Sequence, residues 1–201
     1  MPKNKPFRVG ITGGIGAGKS IVARVFSTLD IPVYDADSRA KWLMNHEPTL
    51  KSQIIDLIGA RAYQNGTLNR KHISSIAFKD QDLLDKLNAL VHPAVAKDFD
   101  KWSKDQLSPY VLKEAALLFE ANSYKSLDRI ITVTAPEELR IARVIKRDGR
   151  AEQEVKDIIS KQWPESRKTA QSDFVIENNE EKMIIPQVLE VHQKLLDQIS
   201  G

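Results

Sequence analysis

Apolar positions along this chain follow two periods, and the switches between them lay out its elements. Residues 7–12, FRVGIT, form a short apolar run bounded by Pro6 and by the glycines that follow. A run of that length between turn residues predicts a strand buried on both faces of a sheet. Val22, Val25, Phe26 and Leu29 then recur at helical spacing within KSIVARVFSTL, 19–29. IPVYDAD, 31–37, predicts a second strand, its proline at the start where a missing N–H is tolerated. Strand, helix and strand in one short span predict a right-handed βαβ unit and a parallel sheet.

From Asp37 to about Asp105 the pattern is mostly helical. DADSRAKWL opens one helix. In QDLLDKLNALVHPAVAKDFDKW, Leu83, Leu84, Leu87, Leu90, Val91, Ala94, Val95, Phe99 and Trp102 fall on one side. Pro93 stands inside that pattern and is expected to kink or interrupt it. YQNGTL, 63–68, carries an Asn-Gly turn signal. The sheet resumes with YVLKEA (110–115) and RIITVT (129–134). A helix over 136–149 follows, with Pro136 at its start and Gly149 as a stop. Another covers about 152–162, DFVIEN (173–178) is a last strand, and 180–199 a closing helix. The sum is an α/β fold, three-layered and doubly wound on five parallel strands, with residues 38–105 inserted between the second and third.

Bulk composition narrows the partners. With 201 residues the chain fits one domain, 1–201. Thirty Lys and Arg against 27 Asp and Glu give a net charge of +3, too mild for a nucleic-acid protein. The absence of cysteine excludes disulfides, thiolate metal sites and cysteine nucleophiles. No apolar run approaches the ~20 residues that span a bilayer. The basic start runs through a short apolar stretch into glycines, as a strand does and a signal peptide does not. The expectation is a soluble cytoplasmic protein, monomeric or weakly homo-oligomeric, binding neither nucleic acid nor membrane.

Gly13-Gly14-Ile15-Gly16-Ala17-Gly18-Lys19-Ser20 matches G-x-x-x-x-G-K-[ST], with strand before and helix after. Glycines let successive N–H groups turn inward as an anion nest, and the helix adds the positive end of its dipole. Lys19 is a point charge for the β- and γ-phosphates, and the Ser20 hydroxyl a hard ligand for Mg²⁺. The pattern predicts a nucleoside triphosphate with magnesium, and a fold of the P-loop NTPase type. Gly14, Gly16, Ala17, Gly18, Lys19, Ser20 and Ile21 form the predicted nucleotide contact.

Ligands of open α/β sheets bind at the carboxyl ends of the strands. Asp35 and Asp37 lie there, and a carboxylate near a γ-phosphate can align or deprotonate an alcohol acceptor. Asp35, closest to the strand end, is the candidate base, and Asp37 can cap the helix after it. Arg140, Arg143, Arg147 and Arg150 recur at intervals of three, four and three, so on a helix they share a face, although Arg150 lies past the Gly149 stop, where the shared face is not required. That face is either solvated or an arm that closes over ATP, its guanidinium groups neutralising phosphoryl charge. His92, before Pro93 in an apolar helix, reads as a satisfied structural group more readily than as a catalyst, and Glu120, in EAALLFE, as core plus a capping acid.

Together these motifs resemble the dephospho-coenzyme A kinase family over essentially the whole chain. VYDADSRAK is similar to its D-A-D-x-x-A-[RK] signature, LNALVHPAV to its L-x-x-[IL]-x-H-P segment and AALLFE to its V-P-L-L-[FY]-E segment. RVIKRD with KQWPESRK resembles its lid and the adjoining Q-x-x-x-x-x-K stretch, and SDFVIEN its A-D-x-V-I-x-N element. The resemblance implies ATP-dependent phosphorylation of the 3′-hydroxyl of dephospho-coenzyme A, the last step in making coenzyme A. It implies Asp35, Lys19 and Arg147 as catalytic residues, and Arg143 and Arg147 on ATP. Asp35, Lys41, His92 and Glu120 would hold the acceptor. The core would be about 1–37, 106–139 and 170–201, with 38–105 binding the pantetheine-bearing substrate and 140–165 the lid.

The chain departs from that pattern at four positions. Ala116 stands for proline, Lys41 for arginine, Ile21 for threonine, and Ala151 for the Ser/Thr that would cap the next helix, leaving Asp148 as a substitute cap. The nearest rival reading is another small-molecule or nucleoside monophosphate kinase. A GTPase-type switch lacks the N-K-x-D guanine motif, although DLIG (56–59) fits D-x-x-G. An RNA-binding module lacks both a motif and a basic total charge.

Overall fold

A computed structural model describes residues 6–77 and 80–201. The basic opening, 1–5, lies outside the described residues. In chain order the elements are β1 (Phe7–Thr12), α1 (Lys19–Ser27), β2 (Val33–Asp35), α2 (Ala36–His46), α3 (Pro48–Ile58), β3 (Tyr63–Gln64) and β4 (Thr67–Leu68). Then come α4 (Arg70–Ala77), α5 (Gln81–Lys104), β5 (Tyr110–Glu114), β6 (Arg129–Thr134), α6 (Glu137–Asp148), α7 (Glu152–Ser160), α8 (Glu165–Ala170), β7 (Phe174–Glu177) and α9 (Ile184–Ser200). The chain divides into two compact units, one running to Asp35 and resuming over Ser103–Gly201, the other Ala36–Trp102.

The first unit is built on a five-stranded sheet in the order β2-β5-β1-β6-β7, parallel throughout. β1 is central and buried on both faces, with apolar Val9 and Ile11 on one and Arg8, Gly10 and Thr12 on the other. Val9 and Ile11 point into a core shared with Val22 and Phe26 of α1 and Val188, Val191 and Leu195 of α9. That burial is why the helical spacing read at 22, 25, 26 and 29 folds as α1: Val22 and Phe26 are fully buried, with Val25 and Leu29 packed beside them. On the other face Gly10 lies against Leu118 and Leu127, where a side chain has no room. Arg8, almost fully buried on β1, donates from Nη2 to Ser103 Oγ at 2.7 Å. The second predicted strand is shorter than 31–37, because the backbone turns helical immediately after Asp35. α9 starts later than 180 and tolerates Pro186 in its first turn, where the proline's missing N–H has no intrahelical acceptor to lose.

The helical unit holds α2, α3, α4 and the hairpin β3–β4, with α5 as its long element. The predicted Asn-Gly turn joins β3 to β4, both Asn65 and Gly66 taking positive φ as a type I′ turn demands. Leu50 and Ile54 of α3 are buried, with Leu87, Val91, Val95 and Phe99 of α5. α5 runs through Pro93 without interruption. Burial of its apolar stripe outweighs one lost backbone hydrogen bond. Arg39 on α2 forms a bidentate pair with Asp98 on α5, at 2.9 and 2.8 Å.

Candidate active site

β1 ends at Thr12 and α1 begins at Lys19, so residues 13–18 form a loop at the carboxyl edge of the sheet's central strand. Its turn is closed by Ala17 N–H donating to Gly14 O at 3.1 Å, and α1 starts on Gly18 O, which accepts from Ile21 and Val22. Lys19 and Ser20 open the helix, so their amides belong to the turn that leaves N–H groups for an anion. Lys19 Nζ donates to Gly13 O at 3.1 Å and Gly14 O at 3.4 Å, across the loop. Ile21 is half-exposed on the first turn of α1.

The loop's shape is imposed from outside. Gly16 takes φ +80°, and a Cβ there would lie 2.4 Å from the backbone oxygen of Arg140, which cannot move aside without displacing α6. A Cβ on Gly14 would fall 1.8 Å from Arg140 Nη1. Asn178, just after β7, donates from Nδ2 to Ala17 O at 2.8 Å, in a buried contact. Gln162 Oε1 accepts from Ile15 N–H at 2.9 Å. Ile15 itself packs on the apolar cluster of Ile141, Val144 and Val155, by which α6 and α7 adhere.

Asp35 is the last residue of β2 and is exposed. In the ladder it pairs with Glu114, the last residue of β5, which pairs in turn with Ile11 of β1. Glu114 Oε1 accepts from the Ser20 hydroxyl at 2.9 Å. Two carboxylates and a hydroxyl thus share the sheet's carboxyl edge beside the phosphate loop, a hard-oxygen set suited to a divalent cation held partly by phosphates. Asp37 stands in the first turn of α2, where its charge complements the helix dipole.

The arginine stripe divides. Arg140 is buried against the loop and lies 3.5 Å from Glu137 and 3.9 Å from Glu165. Burial raises the Glu165 carboxyl above its usual range, against the pull of Arg140. Arg143 donates from Nη1 to Asn178 O at 3.1 Å and from Nη2 to Glu180 at 3.1 Å. Arg147 is exposed and bonds Asp148 through two nitrogens at 2.7 and 2.8 Å, and Arg150 lies 3.7 Å from the same carboxylate. The hydrogen bond from Arg147 holds the Asp148 carboxyl below its usual range. Asp148 therefore does not cap α7. Glu154 Oε2 instead accepts from Ala151 N–H at 3.3 Å.

Glu120 follows β5 in the same unit. Its Oε1 accepts from Trp163 N–H at 2.8 Å and pairs at 2.9 Å with Lys168 Nζ, whose residue is 1% exposed. Lys41 on α2 and His92 on α5 both belong to the helical unit and both are exposed. Gln162 and Asn178 are fixed letters of the motifs quoted above and Glu114 lies in the predicted strand 110–115, but none is among the predicted site residues, and none carries a local signal for what it touches.

A five-stranded parallel sheet in this order, a phosphate loop leading from its central strand and acids at the same edge define a P-loop kinase fold. The family model for dephospho-CoA kinase matches residues 7–183. The chain therefore belongs to the dephospho-CoA kinase family. It is 39% identical over 184 residues to a dephospho-CoA kinase of Porphyromonas gingivalis, covering 91% of each chain. The crystal structure of TT1252 from Thermus thermophilus superposes with a TM-score of 0.82 at 31% identity, covering 98% of this chain and 100% of that one. Dephospho-CoA kinase from Campylobacter jejuni shares the fold, with a TM-score of 0.68 at 21% identity over 94% of this chain and 96% of its own.

Proposed function

We propose that this protein transfers the γ-phosphoryl group of ATP to the ribose 3′-hydroxyl of dephospho-coenzyme A, with Asp35 aligning and deprotonating that hydroxyl. The observation that carries the reading is the ladder that sets Asp35 beside Glu114 while Glu114 holds Ser20 of the phosphate loop. An acceptor hydroxyl at Asp35 is thereby on the same sheet edge as the terminal phosphate.

The loop amides and Lys19 hold the triphosphate and neutralise charge as the bond to the leaving oxygen lengthens. Mg²⁺ would sit with Ser20 and Glu114 and supplies further charge neutralisation when bound. Arg143 and Arg147 exchange their present oxygen partners for phosphate oxygens. Within the helical unit a groove of about 570 Å³ is lined by apolar residues that include Leu43, Leu50 and Leu90, with Lys97 and Lys101 balanced by Glu47 and Asp98. That mixed lining suits the extended pantetheine arm of the acceptor, with its amides and apolar methyl groups. Lys41 and His92 belong to the same unit and the same assignment.

The test is purified protein with ATP and Mg²⁺ against dephospho-coenzyme A, AMP, shikimate and gluconate, reading ADP release. Turnover with dephospho-coenzyme A at least a hundredfold above the others is the expected result. Preference for another acceptor would replace the assignment with that of a different small-molecule kinase.

A further inference from the structure

The stretch from the end of α7 into α8 is anchored within the first unit at two points, Trp163 and Lys168. At Trp163 the amide is held by Glu120 and the indole stacks on buried Phe119, ring centroids 5.6 Å apart and planes 7° from parallel. The guanidinium carbon of Arg167 lies 3.4 Å from a ring centroid of the same indole. At Lys168 the buried ammonium meets Glu120 again. Gln162 is the residue immediately before this anchor, so its backbone has little freedom. Its side chain reaches the opposite way, to the N–H of Ile15.

Ile15 lies in neither β1 nor α1, so its amide has no ladder or helix acceptor by default. Gln162 supplies one, across 147 residues of chain. The same carboxamide oxygen would lie 3.7 Å from a Cβ on Gly14, so it borders the first half of the loop closely. We propose that Gln162 is a positioning residue for ATP: it fixes the Ile15 amide and so presets the loop that cradles the phosphates, without touching the nucleotide. The inference rests on the assignment of this loop to ATP. A preset loop binds the triphosphate equally in ground and transition states, so its loss belongs in KM rather than kcat.

The experiment compares Gln162→Ala and Gln162→Glu with the unaltered protein. Gln162→Ala leaves the Ile15 amide without its acceptor. KM for ATP is expected to rise about tenfold, the scale of one part-buried hydrogen bond lost, with kcat within about twofold. KM for the acceptor should stay near that of the unaltered protein, and the nucleotide-free thermal midpoint should fall by no more than about 2–4 °C, the cost of that one bond. Gln162→Glu keeps the acceptor oxygen but sets a negative charge beside an anion site. Its KM for ATP should rise at low salt and return toward the unaltered value at high salt, because charge is screened and a hydrogen bond is not. The Ala variant should show no such recovery. An unchanged KM in Gln162→Ala, or a fall in kcat and thermal midpoint with KM unmoved, would overturn the proposal. Direct ATP dissociation constants for the same proteins give the result even if dephospho-coenzyme A proves to be the wrong acceptor, so the two failures separate.

Discussion

Asp35 and Asp37 are two residues apart but play their parts in different elements, one ending a strand and the other entering a helix. The chemistry separates them further. A carboxylate at the strand end can take a proton from an alcohol, and one in the first turn of a helix mainly serves that helix. Asp35→Asn should keep ATP affinity within about twofold and lower kcat by about 10²–10⁴, the usual worth of a positioned base. Asp37→Asn should leave kcat within a few-fold. Steady-state kinetics on the two variants decide, and the reverse ranking would exchange their roles. The placement of these acids, like that of Lys19 and Ser20, is legible in the sequence because the immediate neighbours of each set the element it stands in. The contacts of Glu114, Gln162 and Asn178 are not, since these residues meet the loop across 94, 147 and 161 residues. No local period encodes a contact of that span. It exists only once the sheet has ordered β5 and β7 around β1.

Among the elements, α6 shows how a correct spacing can still conceal its purpose. Three arginines of the predicted stripe, 140, 143 and 147, lie on α6, yet the helix rests on the phosphate loop at its N-terminal end and emerges into solvent at the other. Arg140 is consequently packed into the loop, Arg143 joins the end of β7, and Arg147 remains outside. Pro93 is the converse case, a local signal that the packing of α5 overrides. The contact of α6 with the loop can be measured. In Gly14→Ala the new methyl group meets Arg140 Nη1, a side-chain tip that is itself buried. ATP affinity should fall by an overpacking cost of about 1–3 kcal/mol. Arg140→Ala removes the obstructing group, at the expense of leaving Glu165 with Lys168 as its remaining cation. The double variant should therefore bind ATP better than the sum of the two single losses allows, with a coupling of about 1–2 kcal/mol. Strict additivity in a calorimetric cycle would mean that Arg140 does not shape the loop.

At the scale of the whole molecule, the sheet orders its two ends for different tasks. Its carboxyl edge collects the loop, Asp35 and Glu114, as the topology of an open parallel sheet dictates. That much of the architecture follows from the alternation of short apolar runs and helical stripes, because a parallel sheet has few ways to bury both. At the amino end of the same sheet Tyr110, the first residue of β5 and fully buried, shares a hydrogen bond of 2.6 Å with His192 Nδ1 on α9. Burial pushes the Tyr110 hydroxyl up and the His192 imidazole down from their usual ranges. The neutral ring is thus the form the fold selects. As pH falls below the ordinary histidine value of 6.5, the unfolded chain takes up the proton first. Stability contributed by this pair is therefore complete above that value and is lost as pH falls toward the lower folded value. His192→Gln keeps a hydrogen-bonding group for the tyrosine and removes the titration. Thermal midpoints at pH 7.5 and pH 5 should fall further for the unaltered protein than for the variant, by about 1–3 °C for a chain of this size. An equal fall in both would place the acid sensitivity in other groups and leave this end of the sheet neutral to pH.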